Sequence, residues 1–496
     1  MTAPAQEALA MVAAGNRQLG QGGRLSGSAK PVNPQTGSAK TVNAQDVNVS
    51  AAGLPNVRVN NPAEDSHFID QTTQSETTIG VHGSNVAVGF NDSQQSLLFL
   101  TAGSDLTGYA YSTDGGNTFT DAGSLPNRPA FINLGDPWLG TDRAGNFYYS
   151  NLMINGTTGD LDVGVARSTN GGKTFSTPTQ VSPSNDLFYE GDKDSLAAGP
   201  NPASTSHDNV YVAWDDAFLD QDGNFFTGLP VARSIDGGTT WHVAYADKIP
   251  GDTTGCSFTQ YIGATPAVAS NGTLYVAAEK INADDPNCLG VPPTFSEWIF
   301  KSSNGGQSFN SGHQLATVTE TGNLSLGPGK VMRNLEFPSL AIGPAGTVYV
   351  AWNDAAAGNS NIRLATSSNG GTSWSLSWAT QGADDEVQPA ISTDIHGLHL
   401  IYYQRNVNNT LDVLAGNSTN GTSFTTTRVT TVASPGVFTD PQFDPILAFG
   451  YMGDYIANVT DGTTRYYAWG DNRDTVTNVL WPQGRHDPDV YFARQQ

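Results

Sequence analysis

The stretch Ser112–Phe119 reads STDGGNTF, and close variants of it recur along the chain. Every copy starts with serine, has one or two glycines in its middle and ends in Phe or Trp. Such copies lie roughly 50 to 70 residues apart, and a fixed phrase at such a period indicates a repeat architecture. The other copies are STNGGKTF from 168, SIDGGTTW from 234, SSNGGQSF from 302, SSNGGTSW from 367 and the shortened STNGTSF from 418.

Each repeat is predicted to contain four short strands. The repeat that includes Ser367 reads PSLAIGPAG, TVYVAWND, NIRLATS and SWSLSW, with turn residues between the segments. The quoted phrase then becomes the hairpin between the third and fourth strands. Its glycines supply backbone freedom, and its Asp or Asn can bond the turn's own backbone. Four short antiparallel strands per repeat are typical of a β-propeller blade.

The two ends of the chain are predicted to share a blade. Three strands are predicted near the C-terminus, from GDYIANVTDG, TRYYAWGDN and DVYFAR. A blade of three strands would leave an unpaired edge. A strand from QDVNVSA (45–51) or from Asn56–Asn61 can fill that place. We therefore predict an all-β, seven-bladed propeller over residues 46–496, closed by an N-terminal strand, with six blades as the alternative. Residues 1–45 are predicted to be a flexible Gly/Ser/Pro-rich segment.

The excess of acidic residues limits the kinds of partner that the chain can bind. The 496 residues carry 23 Lys and Arg against 46 Asp and Glu, a formal net charge of −23, which repels nucleic acid phosphates. No apolar run is long enough for a membrane span. The first residues lack the pattern of a signal peptide. We nevertheless expect a secreted, extracellular monomer whose leader has been removed.

Two cysteines, Cys256 and Cys288, fall within one repeat. A lone pair in an acidic and extracellular protein is expected to form one disulfide, with two unpaired thiols as the alternative.

The recurring phrase resembles the Asp-box, or BNR repeat, of the sialidase-like β-propellers. Asp114 and Asp236 keep the acid of that motif, while Asn170, Asn304 and Asn369 replace it. The C-terminal part also resembles bacterial secreted proteins that are called sialidase-like. The resemblance implies a propeller fold over about residues 70–496. It is compatible with glycoside hydrolases, with polysaccharide lyases and with propellers that have no catalytic activity.

The chain departs from the sialidase pattern. That family has six blades, an Arg-Ile-Pro motif and three arginines for the substrate carboxylate, but no Arg-Ile-Pro occurs here. Arg333, Arg405 and Arg473 are the candidates for such a triad. We therefore expect the chain not to act as a true exo-sialidase.

Charged residues stand at the starts of the predicted innermost strands. We expect them to converge around the central channel, where crowding raises the pKa of one or more carboxyls. Protonated and ionised carboxyls together suit glycoside hydrolysis. Turn bonds or a bound cation are the alternative roles. The catalytic candidates are Glu76, Asp136, Asp192, Asp194, Glu336, Asp454 and Tyr455, the last by analogy with sialidases, and the substrate-binding candidates are Lys193, Arg333, Gln388, Arg405 and Arg473.

One loop has the oxygen ligands of a calcium site at alternating positions. It does not match an EF-hand, and solvated acids are the alternative. No cofactor is expected to be required, and a structural Ca²⁺ is the one candidate. The five residues are Asp215, Asp216, Asp220, Asp222 and Asn224.

Three tryptophans at similar positions, Trp214, Trp352 and Trp469, are expected to pack between blades, with sugar stacking as the alternative. Histidines 67 and 486 are expected near the ring closure. The functional hypothesis is a secreted hydrolase that acts on an extracellular glycan. The alternatives are a polysaccharide lyase and a non-catalytic binding or scaffold propeller.

Overall fold

The computed structural model describes residues 53–63, 73–93, 105–252, 256–285, 287–328, 330–435, 452–477 and 482–496. Within these ranges the regular structure is β-strand, and no α-helix occurs. The all-β prediction is confirmed. No helix of the described residues is long and apolar enough to cross a membrane. The predicted segment 1–45, the strand candidate QDVNVSA and His67 lie outside the described residues.

Most strands form antiparallel sheets of four, and each sheet is named here after its first strand. The first half of the chain forms the β2, β6, β10 and β14 sheets. Their strands and the preceding β1 are β1 (Val57–Arg58), β2 (Gln74–His82), β3 (Asn85–Asp92), β4 (Thr107–Ser112), β5 (Thr120–Asp121), β6 (Phe131–Thr141), β7 (Phe147–Asn155), β8 (Leu161–Ser168), β9 (Thr179–Gln180), β10 (Phe188–Asn201), β11 (Ser204–Leu219), β12 (Phe225–Ser234), β13 (His242–Pro250), β14 (Phe258–Val268), β15 (Leu274–Ala283), β16 (Thr294–Ser302) and β17 (His313–Val318).

The second half begins with a two-stranded hairpin and continues with the β20, β24 and β28 sheets. The β28 sheet has the order β28–β29–β30–β1, so the N-terminal strand is its outer member, with Val57 opposite Phe492. The strands are β18 (Leu324–Ser325), β19 (Val331–Met332), β20 (Ser339–Ile342), β21 (Val348–Asp354), β22 (Asn361–Ser367), β23 (Ser375–Trp378), β24 (Glu386–Asp394), β25 (Gly397–Arg405), β26 (Leu411–Ser418), β27 (Thr425–Arg428), β28 (Ala457–Asp461), β29 (Thr464–Val476) and β30 (Arg485–Gln495).

The first strand of each sheet contacts the first strand of the next. Such contacts join β2 to β6, β6 to β10, β10 to β14, β14 to β20, β20 to β24, β24 to β28 and β28 to β2. The β6 and β10 sheets are also linked by one parallel pair, Glu190 opposite Leu161. Residues at the starts of the first strands are therefore the ones that can meet across sheets.

The recurring phrase forms the turn between the third and fourth strands of its sheet. In the first copy, the backbone N–H of Gly116 donates to Ser112 Oγ at 2.9 Å, and Ser112 Oγ donates to Asp114 Oδ1 at 2.7 Å. Asp114 Oδ1 also accepts the backbone N–H of Thr118 at 3.0 Å. Asn170 repeats this last bond with Thr174 at 3.1 Å. The phrase thus stabilises a turn through its own backbone.

The three tryptophans lie in the core. Trp214, Trp352 and Trp469 are fully buried and pack in three separate apolar clusters between neighbouring sheets. Their packing role is confirmed, since a buried indole offers no face to a sugar. The disulfide Cys256–Cys288 is likewise confirmed, with the two Cα atoms 5.2 Å apart.

The β18–β19 hairpin is an insertion before the β20 sheet. Its side chains Leu324, Leu326 and Met332 are buried with residues of the β24 and β28 sheets, including Val387 and Trp469. The hairpin therefore crosses to a distant pair of sheets, and its C-terminal end carries Arg333.

Candidate functional site

Four charged or polar residues of the first strands share an unusual backbone conformation. Glu76, Asp136, Lys193 and Gln388 have φ angles of 52°, 52°, 51° and 51°. These values lie in the left-handed region, which is unfavourable for residues other than glycine. Each residue stands at a register shift between the first and second strands of its sheet. The shift is typical of a β-bulge, which re-aims a side chain.

Glycine occupies the same place in the β14 sheet. Gly263 has φ 69° and stands at the register shift between Ile262 and Thr265. Sequence reasoning missed this shared conformation. The available signal was that glycine alternates with charged residues at equivalent positions of the strands.

Lys193 is the centre of the site. Its Nζ atom lies 3.6 Å from Glu76 Oε1 and 3.5 Å from Asp136 Oδ2. The same nitrogen lies 3.6 Å from the ring centroid of Tyr455 and 5.4 Å from that of Phe337. Since both carboxylate oxygens are close to one nitrogen, they lie within about 7 Å of each other. One ammonium group thus holds carboxyls from two sheets together.

Lys193 and Asp136 both have raised pKa values, but for different reasons. Burial lowers the pKa of Lys193, but the carboxylates of Asp136 and Glu76 outweigh that effect and raise it overall. Burial raises the pKa of Asp136 well above its usual range, and Glu76 adds to the rise while Lys193 opposes it. The Asp136 side chain is 21% exposed, whereas that of Glu76 is 1% exposed. Asp136 is therefore an acid that keeps its proton to an unusually high pH and can be reached.

Asp454 joins the same network from the β28 sheet. Its backbone N–H donates to Glu76 Oε1 at 3.2 Å, and its carboxylate accepts a short hydrogen bond from Arg333. Burial raises the pKa of Asp454 to about 6, and Arg333 opposes the rise. The residue that follows the β18–β19 hairpin thus brings a second cation to the network around Lys193.

Tyr455 lies against Lys193, but its hydroxyl is engaged elsewhere. The hydroxyl donates to the backbone carbonyl of Pro137 at 2.8 Å, and the ring packs 5.3 Å from that of Trp138. Burial raises the pKa of Tyr455 well above its usual range. Tyr455 therefore forms a wall of the site, and its assignment as a nucleophile stays a prediction without support from this geometry.

A cavity of about 220 Å³ adjoins the network, and its walls come from the starts of the first strands. Lys193, Asp194, Gln388 and Asp454 contribute polar walls, and Phe337 contributes an apolar one. Asp194 is fully buried, and burial raises its pKa to about 8. Asp192 is partly exposed, and burial raises its pKa while Lys193 opposes the rise. The two carboxyls that line the cavity, Asp194 and Asp454, thus both have raised pKa values.

Gln388 and Glu336 are held by other partners. Gln388 Nε2 donates to the backbone carbonyl of Gly453 at 2.8 Å, which links the β24 and β28 sheets. Glu336 Oε1 accepts the backbone N–H of Thr321 at 2.7 Å and the side-chain amides of two asparagines. Burial raises the pKa of Glu336 to about 8. Its electrostatic neighbours are Glu279, Glu297 and Glu320, which form a second group of acids.

The three candidate arginines do not share one carboxylate. Arg333 bonds Asp454, Arg405 bonds Asp385 and Arg473 bonds Asp471, the last two at 2.5 Å. Each guanidinium is thus committed to a different acid. Of the three, Arg333 is the one that the structure brings to the channel network.

The five candidate calcium ligands are divided between a strand and a turn. Asp215 and Asp216 are buried on β11, and Asp216 Oδ2 accepts the hydroxyl of Tyr245 at 2.6 Å. Asp220 instead caps its own turn by accepting the backbone N–H of Asn224 at 2.8 Å. The described residues contain no group of three or more His, Cys, Asp or Glu that could hold a metal ion. The loop is therefore not brought together as a single ligand set.

Comparisons with known proteins give remote structural likenesses. No family model and no curated protein matches the chain. The α-L-arabinofuranosidase Arb93A from Fusarium graminearum is similar with 11% identity and a TM-score of 0.45, over 89% of this chain and 98% of that one. The endosialidase of phage phi92 has 10% identity and a TM-score of 0.45, over 90% and 69%. The leech intramolecular trans-sialidase has 12% identity and a TM-score of 0.42, over 70% and 67%. Such values assign no activity, so we argue function from this chain's own residues.

Proposed function

We propose that this protein is a glycoside hydrolase whose catalytic carboxyls are Asp136 and Asp192. The proposal rests on one observation: the partly exposed carboxyl of Asp136 lies 3.5 Å from the buried Lys193 Nζ, and the partly exposed carboxyl of Asp192 accepts the Lys193 backbone N–H. Glycoside hydrolysis uses one protonated and one ionised carboxyl, about 5–10 Å apart, on either side of the scissile bond. A site that pushes the pKa values of two carboxyls apart meets that need.

The roles follow from the environment of each group. The pKa of Asp136 is raised further, so Asp136 is the proton donor to the leaving oxygen. Asp192 is the base or nucleophile, because its Oδ1 accepts the backbone N–H of Lys193 at 2.8 Å, a bond that favours the ionised carboxylate. Glu76 and Lys193 lie behind them and set their charge. Arg333 and Gln388 are the substrate-binding residues in this proposal.

We also propose the architecture and setting that the sequence predicts. The contacts between successive first strands, and the pairing of β1 with β30, support a seven-bladed propeller with Asp-box turns, closed by the N-terminal strand. Asp194, Glu336, Asp454 and Tyr455 remain further catalytic candidates, and Arg405 and Arg473 further binding candidates. An extracellular glycan as substrate, secretion and a monomeric state are parts of the same proposal.

The test is a hydrolysis screen of the purified protein on aryl glycosides, neutral polysaccharides and a sialyl reporter, across pH 4–9. We expect turnover that falls as the pH rises through the pKa of Asp136, since the donor must hold its proton. Asp136→Asn and Asp192→Asn should each lose at least about 100-fold in kcat.

Asp222→Asn serves as the control, because Asp222 is an exposed acid in the turn between β11 and β12. Its activity should equal that of the unaltered protein. Turnover that survives both channel substitutions would refute the assignment. Turnover on none of the substrates would refute the hydrolase proposal and favour the binding alternative.

The non-catalytic binding propeller has one observation in its favour. Glu76, Gln388 and Asp454 are buried and bonded to groups of neighbouring sheets, so they also act as links between sheets. If the charged residues of the site serve only as such links, substitution of Asp136 changes the stability of the protein and no hydrolysis is measured with or without it.

A further inference from the structure

Two glutamates face each other inside the β14 sheet. Glu279 on β15 and Glu297 on β16 are directly opposite in the antiparallel register. Directly opposite residues have Cβ atoms about 4.5–5.5 Å apart, and like charges there are destabilising. Their exposed fractions are 2% and 0%, so water does not screen them. The sheet thus contains a like-charged pair in its interior.

The pair lacks compensating groups. Glu279 Oε1 and both carboxylate oxygens of Glu297 are buried without a hydrogen-bond partner among the described residues. The groups that interact with the pair electrostatically are themselves acids: Glu336, Glu320 and Asp354. Asp354 is engaged by Arg363 at 3.2 Å. The adjacent Lys280 instead lies over the rings of Tyr261 and Trp298.

We propose that the Glu279–Glu297 pair is a pH-sensitive switch in the wall of the channel. In acid both carboxyls are protonated and neutral, so β15 and β16 pair without charge repulsion between them. When both lose their protons, two buried negative charges repel each other and loosen these strands.

The direction of the pH dependence follows from burial. Burial raises the pKa of both glutamates well above the ordinary value of 4.5, and the neighbouring acids add to the rise. The folded state therefore binds more protons than the unfolded state once the pH exceeds about 4.5. The contribution of this pair to the free energy of unfolding is therefore largest in acid, and it is lost as the pH rises through the pKa values of the folded state.

The location connects the pair to the candidate active site. Ile262 on β14 is opposite Glu279, and the next residue, Gly263, lines the channel cavity. The disulfide Cys256–Cys288 closes the same end of the sheet, because Cys256 precedes β14 and Cys288 lies between β15 and β16. This inference does not depend on the hydrolase proposal.

The test compares the thermal unfolding of Glu297→Gln with that of the unaltered protein at pH 5 and pH 8. Glutamine imitates the protonated form, so we expect a higher midpoint at pH 8 and a midpoint within about one degree at pH 5. Each proton that the folded state alone retains changes the unfolding equilibrium by about tenfold per pH unit. Glu190→Gln, a partly exposed glutamate on β10, is the control and should show the same shift at both pH values.

A shift for Glu297→Gln that is equal at the two pH values, or absent at both, would overturn the proposal. A second measurement uses the unaltered chain, in case the variant fails to fold. Hydrogen exchange of the β15 and β16 amides, corrected for intrinsic rate, should be faster at pH 8 than at pH 5. Equal protection at both pH values would also overturn it.

Discussion

Replacing Lys193 by methionine removes the ammonium group that holds Glu76 and Asp136 together. Methionine keeps much of the side-chain volume and the contact with the Tyr455 ring, so the change is mainly electrostatic. Removal of one partner from a buried ion pair typically costs about 3–5 kcal/mol, because an uncompensated charge remains. We expect a loss of this size at pH 8.

The loss should be smaller at pH 5. Without the lysine, the pKa of Asp136 rises beyond its already raised value, so the carboxyl takes up a proton and the repulsion disappears. What remains is the lost attraction between the ammonium and the ring, roughly 1–2 kcal/mol for a desolvated pair. The free energy of unfolding of Lys193→Met should therefore fall more steeply with rising pH than that of the unaltered protein.

The assay is urea unfolding at pH 5 and pH 8, with Lys301→Met as the matched control. Lys301 also lies over a tyrosine ring, that of Tyr275 at 5.7 Å, but the described residues give it no ion pair. Its substitution should cost the same at both pH values. If Lys193→Met also costs the same at both, the lysine does not set the protonation of the channel acids, and our account of the site is wrong.

Two further predictions concern the scaffold. Substituting both Cys256 and Cys288 by serine should lower the free energy of unfolding by roughly 3–4 kcal/mol, measured by urea unfolding. An unchanged midpoint would show that the disulfide does not stabilise the fold. In the first turn, Asp114→Ala should lower the melting temperature while Asp114→Asn should not, because Asn170 makes the equivalent bond in the next sheet. Equal melting temperatures of the two variants would contradict this. The pKa of Asp114 is lowered to about 2, chiefly by Ser112, so the Asp114 contribution should persist above pH 4 and disappear only as the pH falls toward 2.

Most of the regular structure could be predicted from local signals. The serine, glycine and Asp or Asn of each turn bond one another over four or five residues, as Ser112 and Gly116 do, so the sequence contains the whole interaction. Alternation of large residues likewise marks strands such as β21, where Trp352 is buried. The tryptophans were predicted to pack for the same reason.

The channel could be predicted only in part. Charged residues at the strand starts indicated a shared site, and Glu76, Asp136, Lys193 and Asp454 do meet. Arg333 reaches Asp454 through an insertion that packs against distant sheets, and no local pattern specifies such a crossing. Glu279 and Glu297 were missed because each looks like an ordinary strand acid until the register places them opposite each other.

The calcium loop stays a prediction. Its alternating acids suggested converging ligands, whereas Asp215 and Asp216 are consecutive residues of β11, and consecutive strand residues point to opposite faces. Asp220 lies beyond the strand, in a turn that it caps itself. Spacing along the chain does not reveal this division, because the division depends on where the strand ends.

The left-handed positions support a chemical role for the side chains around Lys193. A non-glycine residue in this conformation costs about 1–3 kcal/mol. Gly263 shows that the same fold accepts glycine at this place. Glu76, Asp136 and Lys193 therefore occupy a position where glycine would relieve backbone strain, and all three direct their charges to one point. Backbone strain at three positions whose charges meet at one lysine is the pattern expected of a functional site.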